Sequence, residues 1–282
     1  MRDHTESRRE AWDRSATNYA TFASHSSLYL DTATALVRFA GIEPGMTVMD
    51  LACGTGMVTE AILAHPAGKE VTIIATDFSP HMIAQARERI VSPNVTFHCE
   101  AAEHLSQVAP AKVDRVLCNA AFWQFDQERV LSEIVQVLKP TGKCLISIPA
   151  RWDFVDEPDV LYQKNKLQWM ILEEIFIRGF RAPPPPLPRD GSTKSKGAAP
   201  LILSNGSLSI ERVESLTVDC IASDYVEFLH IPVMLQTFSS VSGVPEDEIR
   251  EMLNVVRRQM DWVDVTIPAQ LWKIIFLQVA RA

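Results

Sequence analysis

One short run restricts the fold of this chain more than any other feature. It starts with the apolar segment Val48-Met-Asp-Leu, continues as Ala52-Cys-Gly-Thr-Gly and leads into residues 57–64, whose apolar positions have helical spacing. The next apolar run, residues 71–76, ends at Asp77. We interpret this unit as a strand, a Gly-rich loop, a helix, a second strand and an acidic residue, an arrangement with which ligand-binding parallel sheets begin.

The alternation of strands and helices continues along the chain. Further strands are predicted at residues 95–99, 113–118, 144–148, 208–218 and 271–279. Helices are predicted at residues 10–19, 30–40, 57–64, from 80 onward, and at 127–138, 160–177, 224–238 and 245–260. This order predicts an α/β fold with a doubly wound, seven-stranded, mostly parallel sheet that binds ligands at the carboxyl ends of its strands.

We divide the chain into four parts that form one structural domain with a cap. They are an N-terminal helical lid at 1–40, a Rossmann-like core at 41–150, a cap insertion at 151–206, and a C-terminal part of the sheet with cap helices at 207–282. The insertion holds a Pro-, Gly-, Ser- and Lys-rich loop at 181–200. Loops of this length are usually functional or disordered, so we expect either a mobile entrance flap or a passive insertion.

Charge and cysteine content exclude several classes of partner. The net charge of −8 and the pI of about 5.4 give no general attraction for a phosphate backbone, so nucleic acid is not expected. The five cysteines show no CxxC and no zinc-site spacing, which indicates buried thiols and no metal. The charged beginning of the chain lacks the apolar core of a secretory signal, and no run is long enough to span a bilayer. A cytoplasmic location is the default expectation.

Four motifs then follow one another in a fixed order: Val48-Met-Asp-Leu-Ala-Cys-Gly-Thr-Gly, Ala75-Thr-Asp-Phe-Ser-Pro-His-Met, Ala101-Ala-Glu-His-Leu and Val137-Leu-Lys-Pro-Thr-Gly-Lys. Over residues 10–150 the chain resembles class I S-adenosylmethionine (SAM)-dependent methyltransferases, close to the ubiquinone/menaquinone-biosynthesis type and its small-molecule relatives. Ala52 replaces the first Gly of the usual loop, and Thr141 stands where a second Gly often follows Pro. The resemblance implies SAM as cofactor, S-adenosylhomocysteine as product and a final strand at an antiparallel sheet edge.

The chemistry of SAM explains why these residue types recur. Gly54 and Gly56 lack a Cβ, which allows the cofactor to approach the backbone; an ordinary tight turn is the alternative. Asp50 offers negative charge near the ammonium group of SAM. Asp77 would accept hydrogen bonds from both ribose hydroxyls, and a helix N-cap is its alternative role.

The resemblance also implies further cofactor contacts. Ala52 belongs to the loop, Tyr19 would close over the methionine moiety, and Phe78 and Met82 would flank the adenine. Ala101 and Ala102 would lie at the adenine edge, and Asn119 and Ala120 at the methyl-bearing end. Packing roles are the alternatives for Tyr19, Phe78 and Met82.

Rival classes fit less well. The GxGxxG fingerprint of dinucleotide oxidoreductases needs a Gly where Thr59 stands, and no Gly-Lys-Ser/Thr of a Walker loop follows Gly56. Methylation of DNA adenine or of an amide would favour Asn-Pro-Pro-aromatic, whereas the chain has Asn119-Ala-Ala-Phe. A SAM-binding protein of the same fold that catalyses a cyclisation, or only binds, stays open.

On the substrate side we expect a pocket for a small apolar or aromatic molecule, or else a packed core of the cap. The aromatic and apolar residues that would line it are Trp123, Phe125, Trp152, Trp169, Met170 and Phe176. A phenol or activated carbon that binds in its protonated form needs a general base. His230 and His25 are the candidate catalytic residues, with Glu227 one helical turn before His230 to orient it; surface or packing histidines are the alternative.

Overall fold

The computed structural model of the protein describes residues 2–109, 112–149, 206–260 and 266–280. The helices are α1 Arg2–His25, α2 Ser27–Phe39, α3 Met57–Ala64, α4 Pro80–Arg89, α5 Gln127–Val137, α6 Ala222–Leu229, α7 Pro232–Ser242 and α8 Glu246–Met260. The strands are β1 Thr47–Leu51, β2 Thr72–Asp77, β3 Val95–Cys99, β4 Val113–Asn119, β5 Leu138–Pro149, β6 Leu208–Ile221 and β7 Thr266–Val279. The helix expected at 160–177 and the loop at 181–200 lie outside the described residues.

The strands form one sheet in the order β3-β2-β1-β4-β5-β7-β6. β1 to β5 pair in parallel, whereas β7 is antiparallel to both β5 and β6. The predicted seven-stranded, mostly parallel, doubly wound sheet is therefore confirmed. The expectation that the final strand is an edge strand is wrong, because β7 lies inside the sheet and β6 is its outer neighbour. The run Ile274-Ile-Phe-Leu of β7 is buried at every position, as a strand covered on both faces requires.

The two faces of the sheet are covered by separate apolar clusters. Val48 packs into the cluster that contains Leu36 of α2 and Ile62 of α3, while its neighbour Met49 packs into the cluster that contains Leu131 of α5. Successive strand residues point to opposite faces, so each central strand must be apolar throughout. This explains the continuous apolar runs in the sequence.

The helix expected at 224–238 is two helices, α6 and α7. Pro232 has no N–H and a fixed φ, so it fits the first turn of a new helix better than the interior of a longer one. Ile231, the N-cap of α7, is extended and has no side chain able to cap. The cap comes instead from Ser15 of α1, whose Oγ accepts a hydrogen bond from the Val233 amide at 2.9 Å.

The first two helices pack on different parts of the molecule. α1 contacts α4, α6 and α7, whereas α2 contacts α3, β4 and β6. The division of the chain into lid, core, insertion and C-terminal part stays a prediction. None of the described helices is both long enough and apolar enough to cross a membrane.

The bond between Ser15 and α7 leads to a stability prediction. Ser15 is fully buried, so Ser15→Ala leaves the Val233 amide without its acceptor, and we expect the free energy of unfolding to fall by about 1 to 2 kcal/mol. Ser24→Ala on the exposed side of the same helix is the matched control and should stay within about 0.5 kcal/mol of wild type. Urea denaturation measures both, and equal losses would contradict the assignment of Ser15 as the cap.

Candidate functional site

A cavity that is open to solvent lies at the carboxyl edge of the sheet, between the ends of β1 and β4. The strand order reverses at this point, where parallel sheets bind ligands. Its wall combines the loop after β1, the end of β2, the turns after β3 and β4, and one face of α1. The lining residues are Arg8, Trp12, Tyr19, Leu51, Ala52, Gly54, Asp77, Phe78, Met82, Glu100, Ala102, Glu103, Asn119, Ala120, Ala121, Gln124 and Phe125.

The structure brings most of the expected cofactor residues together in this wall. Those that line the cavity are Tyr19, Ala52, Gly54, Asp77, Phe78, Met82, Ala102, Asn119 and Ala120. Asp50, Gly56 and Ala101 do not line it: they lie in β1, at the start of α3, and beside Ala102. That these residues contact SAM stays a prediction.

Asp77 joins two parts of the wall. One carboxylate oxygen accepts a hydrogen bond from the Gly54 amide and the other from the Ser79 amide, both at 2.9 Å. Burial raises the pKa of Asp77 to about 6; the amides of Ser79 and Gly54 oppose this rise, and the charge of Asp13 adds to it. At pH 7 the group is mostly an anion. Each oxygen keeps acceptor capacity, so the carboxylate can also bind a ligand diol.

Asp50 is buried behind the loop with one oxygen satisfied and one not. Oδ2 accepts hydrogen bonds from the Thr59 amide at 2.9 Å and the Thr59 hydroxyl at 2.7 Å. Oδ1 has no partner within the described part of the chain. Burial raises the pKa of Asp50 to about 7, against the two Thr59 hydrogen bonds, and the charge of Asp77 raises it further. A buried acceptor of this kind fits a cationic or hydrogen-bond-donating ligand group or a water molecule.

Backbone strain is concentrated in the cavity wall. Ala52 and Ala120 have φ values of 55° and 54°, and they are the non-glycine residues with positive φ among those that the structure describes. Each conformation costs about 1 to 2 kcal/mol for a residue with a Cβ. Both follow directly after a strand, β1 or β4, and both line the cavity. Strain held at paired strand ends is typical of a functional site.

The two loop glycines serve different purposes. A Cβ on Gly54 would lie 3.6 Å from the ring of Tyr19, so this glycine faces the helix that covers the cavity. A Cβ on Gly56 would come within 2.4 Å of Ile90 Cδ1 at the end of α4. Because that methyl group is the movable end of a side chain, the need for glycine at position 56 arises mainly from its φ of 93°.

Helix α1 is attached to both sides of the cavity. Arg8 donates to the Gln124 carbonyl, and the Trp12 indole donates to Gln124 Oε1 at 2.9 Å, in the turn after β4. On the opposite side Asp13 accepts a hydrogen bond from the Ser79 hydroxyl, beside Asp77. Sequence reasoning missed Arg8, Trp12 and Gln124. The signal in the sequence that could have found the two α1 residues is the spacing of Arg8, Trp12 and Tyr19, which places them on one face of a helix.

Burial raises the pKa of Tyr19 far above its usual range, and the charges of Asp77 and Asp50 act in the same direction. The phenol therefore stays protonated at neutral pH. Its ring stacks on Tyr29 with centroids 6.2 Å apart and meets the edge of Trp12 at 5.8 Å. Tyr19 thus contributes an aromatic side chain with a neutral phenol to the lining of the cavity.

Neither candidate histidine lines the cavity. His25 Nε2 lies 2.9 Å from Glu227 Oε2, so Glu227 orients His25, and the expectation that it orients His230 is wrong. The reason is that α6 ends at Leu229 and the ring of His230 turns back, with Nδ1 2.9 Å from the Val226 carbonyl oxygen and Nε2 3.1 Å from Asn254 Oδ1. A role as general base stays a prediction for both histidines.

Of the residues expected to line a substrate pocket, the structure describes Trp123 and Phe125. Phe125 lines the cavity. The ring of Trp123 packs against both core clusters, with its centroid 6.4 Å from that of Trp272, and does not line this cavity; its place in a substrate pocket stays a prediction. Trp152, Trp169, Met170 and Phe176 lie outside the described residues.

The raised pKa of Asp50 leads to a pH prediction. The folded protein holds this proton more tightly than the unfolded chain, whose Asp pKa is about 3.9. The stability that the group contributes is therefore fully present below about pH 4 and is lost as pH rises through about 7. Relative to Asp50→Asn, the wild-type free energy of unfolding should fall across this window, by at most about 1.4 kcal/mol per pH unit.

Denaturant titrations at several pH values measure this difference. Asp114→Asn is a control of opposite sign, because hydrogen bonds from Lys139 and the Thr47 amide outweigh burial and lower the pKa of Asp114. Its contribution to stability should be lost as pH falls, not as it rises. A constant difference between wild type and Asp50→Asn from pH 4 to 7 would contradict the assignment.

Part of the chain is similar to known methyltransferases. Residues 48–142 match the family model of a methyltransferase domain. Malonyl-(acyl-carrier protein) O-methyltransferase of Bacillus cereus is 38% identical over 131 residues, which are 46% of this chain and 47% of that protein. The ubiquinone/menaquinone biosynthesis C-methyltransferase of Hydrogenovibrio crunogenus is 30% identical over 115 residues, 39% of this chain and 44% of that protein. The chain spans about half the length of the curated relatives it matches.

Among solved structures, the fold is similar to that of the 4+2 cyclase SpnF, with a TM-score of 0.57 and 13% identity over 96% of this chain and 95% of that one. At this identity the likeness shows the fold alone. The match of residues 48–142 to a methyltransferase domain and the strand order of the sheet agree with each other, and this part of the chain is similar to methyltransferase domains.

Proposed function

We propose that this protein transfers a methyl group from SAM to an oxygen, carbon or nitrogen atom of a small apolar or aromatic metabolite. The observation that carries the proposal is Asp77. Its buried carboxylate, at the end of β2, is held by the Gly54 amide after β1 and by the Ser79 amide before α4, and it still has acceptor capacity toward the cavity. A ribose diol matches that capacity.

The charges of the wall favour a cationic ligand over a phosphate. Three acidic residues, Asp77, Glu100 and Glu103, line the cavity against one basic residue, Arg8, and Asp50 lies behind the loop. SAM carries an ammonium group and a sulfonium, which this negative field attracts, whereas the pyrophosphate of a dinucleotide would be repelled. The unsatisfied Oδ1 of Asp50 supports placing the ammonium end near the Gly54 loop. We place the adenine beside Phe78, Met82 and Ala102.

SAM, when bound, supplies an electrophilic methyl group. The residues of the chain bind and orient the ligands and exclude water. Trp12 and Tyr19 of α1 cover the cavity, and Asn119 and Ala120 form the wall proposed to face the methyl group. Holding a nucleophile in line with such an electrophile contributes several kcal/mol without any covalent help from the protein.

The acceptor is proposed only as a class. The relatives named above include an O-methyltransferase and a C-methyltransferase, and the aromatic side chains of Trp12 and Phe125 in the wall favour an apolar or planar molecule. A phenol or activated carbon needs a base unless it binds already ionised. His25, oriented by Glu227, and His230 remain the proposed bases.

A second candidate function is binding of SAM without transfer of its methyl group. In this alternative SAM is bound while the chain catalyses a cyclisation or only binds a ligand; the cyclase named above has the same fold, which is therefore compatible with such a role. Incubation with methyl-labelled SAM and an extract of small metabolites separates the two, since only a transferase moves the label into a substrate-derived product. Mass spectrometry of that product identifies the acceptor.

The role of the histidines is tested with that labelled assay. If His25 or His230 is the base, replacing it by Ala should lower turnover about 100-fold or more and leave SAM affinity within about twofold. His65→Ala, in the turn after α3, is the control. Undiminished turnover in both variants would remove them as bases and leave alignment as the source of rate.

The cofactor assignment is tested by calorimetric titration. Asp77→Ala removes a charged acceptor from a buried wall, so SAM should bind about ten- to a hundredfold more weakly while the fold survives. Gly54→Val should weaken binding at least as much, because a branched Cβ would fill space beside Tyr19 and strain a φ of 53°. Asp31→Ala, exposed on α2, is the matched control.

The unaltered protein is titrated with SAM, S-adenosylhomocysteine and NAD(H). Micromolar binding of the two sulfur compounds without NAD(H) is expected. Tight binding of NAD(H) with no response to either sulfur compound would overturn the assignment, since an acid at this strand end also suits a nicotinamide cofactor.

A further inference from the structure

A buried serine outside the cavity controls two residues of its wall. Ser147 of β5 is the direct neighbour of Asn119 in the parallel pairing with β4, and it is fully buried. Its hydroxyl donates to Asn119 Oδ1 at 2.6 Å and accepts from the Ala120 amide at 3.1 Å. The Ala120 amide is shared with the Ser147 carbonyl oxygen at 3.2 Å. One side chain thus contacts both residues at the end of β4.

The orientation of the Asn119 amide follows from its partners. Its Nδ2 donates to the Tyr29 carbonyl at 3.2 Å, and a flipped amide would place two acceptor oxygens against each other there. The oxygen must then face Ser147, whose single hydroxyl hydrogen is free because the lone pairs serve the Ala120 amide. Asn119 is therefore fixed on one side by a backbone carbonyl and on the other by Ser147.

Ala120 needs a comparable restraint. Its φ of 54° costs about 1 to 2 kcal/mol, and such a conformation persists only where its surroundings hold it. The shared hydrogen bond from its amide to both oxygens of Ser147 provides that hold. Without the hydroxyl, the peptide between Asn119 and Ala120 loses one of its two acceptors.

We propose that Ser147 is a positioning residue that fixes the wall at the methyl-bearing end of the cavity, so that this wall favours the sulfonium of SAM over the thioether of S-adenosylhomocysteine. The inference rests on the proposed function and deepens it. The interaction of a dipole with a charge depends on the orientation of the dipole, so the affinity for a charged sulfonium depends on how these polar groups are held, whereas the affinity for a neutral sulfur depends on it little. Freeing the Asn119 amide and the Ala120 peptide should therefore reduce the affinity for SAM selectively.

The test is the ratio of the two affinities, measured by calorimetry. Ser147→Ala should bind SAM about tenfold more weakly and change S-adenosylhomocysteine binding by less than about threefold. Ser26→Ala is the matched control: it also removes a buried serine hydroxyl, at the N-cap of α2, and does not line the cavity. That variant should lower the melting temperature without changing the ratio.

Parallel weakening of both ligands, or no change in either, would overturn the positioning role of Ser147. If the unaltered protein binds neither ligand, the proposed function fails with it, so the two failures are distinguishable. If Ser147→Ala does not fold, Ser147→Cys preserves the size of the side chain with a weaker donor. In an Asn119→Ala background, replacing Ser147 should change the ratio of the two affinities by less than about twofold, because the contact between Ser147 and Asn119 is already lost. An equal change with and without Asn119→Ala would disprove the coupling of the two residues.

Discussion

The two hydrogen bonds from backbone amides to the Asp77 carboxylate are the contacts on which the site depends. They join the loop after β1, through Gly54, to the start of α4, through Ser79, so the ends of two neighbouring strands share one anion. Only 7% of Asp77 is exposed, and hydrogen bonds to a charge are strong in such surroundings. The Ser79 hydroxyl extends the same network to Asp13, which places α1 over the cavity.

Local signals predicted the core of the fold well. The predicted bounds of α3 and β3 agree with the structure, because apolar spacing and flanking turn residues are both local. The break before Pro232 was missed, since apolar residues continue at helical spacing across it and the cap that stabilises α7 comes from Ser15, more than 200 residues earlier. The inner position of β7 depends on pairing with β5 and β6, which no local pattern records.

Residues of the site were also predicted where the signal is local and missed where it depends on long-range contacts. Residues carried by motifs at strand ends, such as Asp77 and Asn119, were predicted because a parallel sheet brings strand ends to one edge. Trp12 was missed because its contact with Gln124 joins residues 112 positions apart. Spacing allowed Glu227 to reach His230, but it could not show that α6 ends between them and that His25 takes the carboxylate.

The attachment of α1 has a consequence for how the protein folds during synthesis. α1 leaves the ribosome before every element against which it docks, and its partners Ser79, Gln124, Glu227 and Val233 follow across most of the chain. Contacts of such high sequence separation form late, because closing the intervening chain costs entropy that few early contacts repay. We therefore expect a nascent chain to assemble its first strands with the cavity open, and to close it only when α6 and α7 have emerged.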